Sequence, residues 1–178
     1  LRPLRDALRD GDHVWGVIRG HALNHAGRTS GFTVPSPAGQ AEVMSRALRD
    51  AGIDGASVSY VEAHGTGTAL GDPIEIESVG RVLGREGGAT LPIGSVKSNV
   101  GHLESAAGIA AVTKVLLMAR ARQLAPSLHS SELNGAARMA QFGLHVQQAL
   151  APWQPSAGAP RRAAVSAFGA GGANAHLI

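Results

Sequence analysis

Apolar positions along this 178-residue chain alternate between short β-like runs and longer stretches at helical spacing. Leu1, Leu4 and Leu8 fall on one side of a short amphipathic helix between Leu1 and Gly11. Asp12 to Ala22 is rich in strand formers (Val14, Trp15, Val17, Ile18) and is predicted to be a strand. Leu23 to Pro35 is polar and punctuated by glycine, which predicts a loop. Ser36-Pro37 then has the form of an N-cap followed by proline at the first helical position. Ala41, Met44, Leu48 and Ala51 recur at helical spacing, and Gly52 is a natural stop.

The stretch VSYVEAHGTGTALGD, from Val58 to Asp72, changes character abruptly. A run with Val58, Tyr60 and Val61 ends at His64, four small residues follow, and Gly71-Asp72-Pro73 opens a helix. Asp72-Pro73-Ile74-Glu75 has the spacing of a capping box, Ile76, Val79 and Leu83 supply a buried face, and Gly84 ends the helix. Leu91 to Val96 repeats the arrangement: a β-like run, the polar turn KSNVGH, then a helix with Ile109, Val112, Leu116 and Ala119 as its apolar face, closed by Pro126. Ser130 to Gln141 reads as loop, Phe142 to Val146 as a short strand and Pro152 to Arg162 as a linker. Ala163 to Ile178 reads strand, glycine turn, strand. This order predicts an α/β fold with a mixed, largely buried sheet flanked by helices.

Three turns follow strands directly, and α/β folds present chemistry at the carboxyl ends of strands. The first turn carries His64; the second carries Lys97, Asn99 and His102; the third, Phe168 to Asn174, is built of Gly169, Ala170, Gly171 and Gly172, whose backbone N–H groups can face a developing oxyanion. Two histidines, a lysine and a backbone donor loop do not make a hydrolase triad, and no Gly-x-Ser-x-Gly elbow is present. The set suits stabilisation of negative charge on acyl or enolate oxygens, because a neutral imidazole donates through Nε2–H.

Taken singly, each of these residues has an ordinary structural explanation. A histidine at a strand end is commonly a hydrogen-bonded core residue, Lys97 a solvated turn lysine, and GAGGAN a weak glycine signal without the lysine of a P-loop. Asp72 and Glu75 are explained as helix capping. His21 and His25 have a spacing that a helix could use for metal but no third ligand, so no metal site is expected. His13, His129, His145 and His176 have no distinctive sequence context.

Composition excludes several classes. Hydrophobic residues make up 44% and charged residues 16%, and no apolar run reaches membrane-spanning length; the longest, Ala106 to Ala119, is interrupted by Gly108, Thr113 and Lys114. No basic segment precedes an apolar one in the manner of a secretion signal, so a cytoplasmic location is expected, with no membrane partner. The net charge is only +3 and aromatic residues amount to 3%, so nucleic acid is not an expected partner. The chain has no cysteine, which excludes disulfides, thiolate metal sites and a cysteine nucleophile within it.

In combination, the motifs VEAHGTGTALGDPIE, GSVKSNVGHLESAAGIAAVTKVLL and VSAFGAGGANAH, in this order and spacing, resemble the C-terminal half of a β-ketoacyl synthase domain of a modular polyketide synthase. The resemblance covers essentially the whole chain. NHAGRTSGFTVPSP and QLAPSLHSSELN match the family's connecting segments, and the latter, with Pro152-Trp153, resembles the branch whose acyltransferase acts in trans.

The resemblance implies a thiolase-like fold of layered halves working as a homodimer. Residues 1–30 would be the last part of the N-terminal ketosynthase half and residues 31–178 the C-terminal half. It implies a decarboxylative Claisen condensation, in polyketide or fatty-acid biosynthesis, between an acyl thioester and a malonyl unit on acyl carrier protein. No cofactor would be bound; the phosphopantetheine arm of the carrier protein would bring the substrate. His64 and His102 would steady the enolate, with Lys97 ordering His102 and the local charge. Phe168, Gly169, Ala170 and Gly171 would line the site. Ala170 N–H would supply half of the oxyanion hole, and the Ala170 side chain would stand at the gating position. Thr66 and Thr68 would contact the phosphopantetheine arm.

The chain departs from the family pattern in one respect: the cysteine elbow of the first half does not occur. The glutamate that fatty-acid relatives carry nine residues beyond the second histidine is here Ala111, a subfamily difference. Three readings follow. In the first, the chain, which starts at Leu1 without methionine and stops at Ile178, is a fragment of an active condensing enzyme and is inactive without the missing N-terminal half. In the second it is a non-elongating ketosynthase, against which the retained His64 argues. In the third it is a non-catalytic scaffold subunit.

Overall fold

A computed structural model describes residues 1–31, 34–155 and 158–178. Residues 32–33 of the predicted loop and 156–157 of the predicted linker lie outside the described residues. The elements are α1 (Leu4–Arg9), β1 (His21–His25), α2 (Pro37–Ala51), β2 (Tyr60–Glu62), α3 (Gly71–Leu83), β3 (Leu91–Gly94), α4 (Lys97–Val100), α5 (Ala107–Ala121), β4 (Gln123–Leu124), β5 (Leu144–Val146), β6 (Ala151–Pro152), β7 (Ala163–Phe168) and β8 (Ala173–Leu177), with short 3-10 turns between them.

A six-stranded sheet with the order β1-β8-β7-β2-β3-β5 organises the molecule. β7, β2, β3 and β5 run parallel; β7 turns back antiparallel into β8, and β8 pairs antiparallel with β1. The α/β expectation therefore holds, as a mixed sheet. One face packs on α2 and α3: Val43, Met44, Ala47, Ile76, Val79 and Leu83 meet Val61, Ile93 and Ala164 in one buried cluster. The other face packs on α5 through Val96, Ala111 and Val165, and through a second cluster of Tyr60, Met118, Leu124 and Trp153.

The predicted boundaries of α2 are confirmed in atomic detail. Ser36 Oγ accepts the Gly39 N–H at 3.1 Å, and Gly52 takes the left-handed conformation at φ 63°.

Four expectations are corrected. The first strand is not Asp12 to Ala22 but β1, which lies mostly in the predicted loop. The loop-like Asn24 is tied into the sheet by its side chain: Nδ2 donates to Gly39 O and Oδ1 accepts from Asn174 Nδ2. Trp15, Val17 and Ile18 are exposed instead, with Trp15 stacked on the Arg120 guanidinium at 4.7 Å. The buried face of α5 is Ala107, Ala111, Lys114 and Met118, whereas Ile109 is 65% exposed. The helix is rolled so that Lys114 reaches an acid in the sheet. The Ser130 to Gln141 loop contains two 3-10 turns. Finally, Glu75 is not a capping-box partner: the N-cap of α3 is Leu70, with no side-chain cap, and the Glu75 carboxylate turns back to the loop before the helix.

Candidate active site

β2 and β3 are parallel neighbours, so the turns that leave their carboxyl ends start side by side. The first turn is pinned by Glu75 of α3, whose two oxygens accept the N–H groups of His64 and Gly65, each at 2.8 Å. Gly65 has φ 47°, and a Cβ there would lie 2.8 Å from Ser95 Cβ, so the turn passes β3 too closely for a side chain. The second turn runs through α4 to Gly101, whose φ of 76° and ψ of 179° suit glycine, and delivers His102. Glu104, two residues on, sits at φ 50°, a strained conformation for a residue with a side chain.

These turns bring the His64 and His102 rings to 5.4 Å between centroids, edge to face. Phe168 closes the group, with its ring 5.6 Å from that of His64. Each imidazole accepts a backbone N–H at Nδ1: His64 from Phe168 at 3.4 Å, His102 from Glu104 at 2.9 Å. A neutral ring that accepts at Nδ1 carries its proton at Nε2. Both histidines are thereby set as Nε2–H donors. Burial, then the positive charge of Lys97, then His102, push the His64 pKa down to about 4, so this ring is neutral near pH 7.

A cavity of about 990 Å³ is lined by His64, His102, Thr66, Thr68 and the Phe168–Gly171 turn. All of the predicted site residues except Lys97 border it. In the glycine turn, Gly169 N–H is spent on Ala173 O at 2.7 Å and Gly172 N–H on Gly169 O at 3.2 Å. Among the described residues, no backbone acceptor meets Ala170 N–H. Thr68 also has a local task, because its Oγ1 accepts Gly71 N–H at the entry to α3.

Lys97 stands apart. It borders a neighbouring cavity of about 440 Å³ behind the His64 turn, together with Glu75, Ser95 and Thr66. Burial lowers its pKa, and the charges of Glu75 and then Glu62 raise it. The partner that orients His102 at Nδ1 is Glu104 N–H, and the electrostatic effect of Lys97 falls on His64.

His21 and His25 lie at opposite ends of β1, which places them about 13 Å apart along a strand and separates the pair considered for metal. His176, without distinctive context in the sequence, is fully buried; its Nδ1 lies 3.1 Å from Ser166 Oγ, and its Nε2 has no partner among the described residues. The motif letters also gave no hint of a buried group under the site, in which Glu62, Lys114 and Tyr60 meet.

The family model for "Beta-ketoacyl synthase, C-terminal domain" matches residues 15–131. The chain belongs to the β-ketoacyl synthase family. It is 56% identical over 181 residues to polyketide synthase ThaG of Burkholderia thailandensis, covering 100% of this chain and 3% of that protein. It is 50% identical over 188 residues to polyketide synthase PksL of Bacillus subtilis, covering 100% of this chain and 4% of that protein. Solved ketosynthases share its fold. The oxazolomycin ketosynthase domain OzmH KS7 of Streptomyces albus superposes with a TM-score of 0.93 at 50% identity, over 99% of this chain and 31% of that one. The ketosynthase from module 6 of the bacillaene synthase of Bacillus subtilis superposes with a TM-score of 0.94 at 43% identity, over 99% of this chain and 32% of that one. The ketosynthase fold is thiolase-like, and this chain spans about a third of the solved ketosynthase chains. Among the described residues no helix is long and apolar enough to cross a membrane.

Proposed function

We propose that this segment supplies the decarboxylation half of a polyketide ketosynthase site. The observation that carries the reading is the convergence of two Nε2–H donors, on separate strand–helix junctions, at one cavity. A malonyl thioester oxygen placed between them would receive both hydrogen bonds. As the carbon–carbon bond to the carboxylate breaks and carbon dioxide leaves, the electron pair passes into an enolate whose negative oxygen those donors stabilise. The enolate carbon then attacks an acyl thioester, a carbon–carbon bond forms, and the sulfur leaves as thiolate. The acyl oxyanion of that second step would be met by the Ala170 N–H, which has no backbone acceptor among the described residues. With no cysteine in the chain, the thioester sulfur must come from other residues, so the segment alone does not condense.

The partners follow from the same reading. Acyl carrier protein presents the malonyl unit, its phosphopantetheine arm passing Thr66 and Thr68, and the N-terminal ketosynthase half together with a second subunit completes the enzyme. Residues 1–14 belong to the first half, and the stretch from residue 15, where the C-terminal family model begins to match, to the second. The Gln123 to Asn134 segment and Pro152-Trp153 support placement in the branch with a trans-acting acyltransferase.

The test uses the complete ketosynthase domain containing this segment. His64→Ala and His102→Ala are each expected to abolish carbon dioxide release from malonyl-carrier protein, at a cost of about 10²–10³ in rate per lost donor. Unchanged release from either variant would remove the assigned role. Condensation by the 178-residue chain alone would overturn the fragment reading.

A further inference from the structure

Beneath the site, between β2 and α5, lies a buried charged group that none of the motifs explains. Glu62 is fully buried and Lys114 is 9% exposed. Lys114 Nζ donates to Glu62 Oε2 at 2.7 Å and to Tyr60 Oη at 2.9 Å, and the Tyr60 hydroxyl donates to the same Glu62 oxygen at 2.8 Å. The second oxygen, Oε1, accepts the backbone N–H of Val96 at 2.6 Å. Three donors, one of them the Lys114 ammonium, converge on the two carboxyl oxygens and fix their orientation. Burial raises the Glu62 pKa above the ordinary carboxylate value, and the Lys114 charge with the hydrogen bonds from Lys114, Val96 N–H and Tyr60 oppose that rise.

The position of this carboxylate distinguishes it from an ordinary core ion pair. Glu62 is the last residue of β2, two residues before His64. Val96 is the residue before Lys97, at the start of the turn that delivers His102. Lys114 lies in α5, which begins five residues after His102. One side chain thus fastens together the two segments that lead to the imidazoles and the helix that follows His102. An ion pair in this setting adds little net stability over apolar packing of similar volume, because desolvation offsets the Coulomb attraction. A geometric role accounts for it better.

We propose, resting on the decarboxylation reading above, that Glu62 is a positioning residue: through Val96 N–H it sets the spacing of the two histidine turns, and Lys114 with Tyr60 holds its carboxyl group in place. Only the transition state needs both Nε2–H donors on one oxygen, so a misplaced turn lowers kcat more than it raises KM.

The experiment uses the complete ketosynthase domain and measures kcat and KM for carbon dioxide release from malonyl-carrier protein, alongside the unfolding midpoint. Glu62→Leu/Lys114→Met replaces the pair with apolar side chains. It is expected to keep the midpoint, lower kcat about 10- to 100-fold and leave KM within about twofold. Glu62→Gln/Lys114→Met removes the charges but keeps an amide oxygen for Val96 N–H, and is expected to recover kcat to within about fivefold of wild type. If the apolar pair does not fold, Glu62→Asp decides the matter. It keeps the charge facing Lys114 but withdraws from Val96, and the same selective loss of kcat is expected. A folded Glu62→Leu/Lys114→Met or Glu62→Asp variant with wild-type kcat overturns the proposal, as does a Glu62→Gln/Lys114→Met variant no more active than the Glu62→Leu/Lys114→Met variant. His64→Ala in the same assay separates the two levels. If it retains activity, the decarboxylation reading fails; if it loses activity while the apolar pair does not, only the role of Glu62 fails.

Discussion

Protonation of His64 is the most informative perturbation of this site. The ring is oriented by Phe168 N–H at its Nδ1, 3.4 Å away. A proton placed on Nδ1 would set two N–H groups against each other and release the ring. Burial, Lys97 and His102 hold the pKa at about 4, below the ordinary 6.5. At pH 5.5 a group with a pKa of 4 is about 3% protonated, whereas one with a pKa of 6.5 would be about 90% protonated. His64 itself should therefore stay neutral between about pH 5.5 and 7.5, with no inflection of its own near 6.5. Histidine-selective ¹³C labelling of the complete ketosynthase gives the titration directly. Lys97→Met removes the second-largest cause of the depression and should move the His64 midpoint upward, bringing the acid limb of the rate profile towards neutrality. A wild-type midpoint near 6.5, or a Lys97→Met midpoint that does not move, would refute the electrostatic account of the site.

Three further outcomes concern stability. Glu75 is buried and its pKa is raised from 4.5 to about 7, mainly by desolvation, so its contribution is fully present below about pH 4.5 and is lost as pH rises through 7. That loss is of order 3 kcal/mol, and Glu75→Gln should flatten this part of the pH dependence of the urea midpoint. Two substitutions should also lower the unfolding free energy: Ser36→Ala by about 1 kcal/mol through loss of the side-chain cap on α2, and Gly20→Ala more severely, because its Cβ would strike the backbone of Ala47 and Ala51 at the end of α2.

Local chemistry made much of this molecule legible before any fold was known. Ser36-Pro37 and Gly52 bound α2 because capping depends on residues adjacent in the chain. The β7–turn–β8 hairpin and the histidine turns were equally visible, since a strand that stops in glycine and small residues announces its own end. The family followed from motif order, and the zero count of cysteine followed from reading the letters.

Tertiary structure decided what depends on partners distant in sequence. Asn24 is in a strand because Asn174, far along the chain, holds it there. α5 buries Lys114 in preference to Ile109 because Glu62 waits in the sheet, and helical periodicity cannot register an acid more than fifty residues away. Glu75 had the spacing of a cap, yet its carboxylate serves His64 and Gly65 once the loop folds back over α3. The tautomers of His64 and His102 were likewise undetermined until backbone N–H groups were seen at each Nδ1. Composition and spacing name the groups available along a chain; which of them face one another in the low-dielectric interior is a property of packing, and the chemistry of this site resides in those pairings.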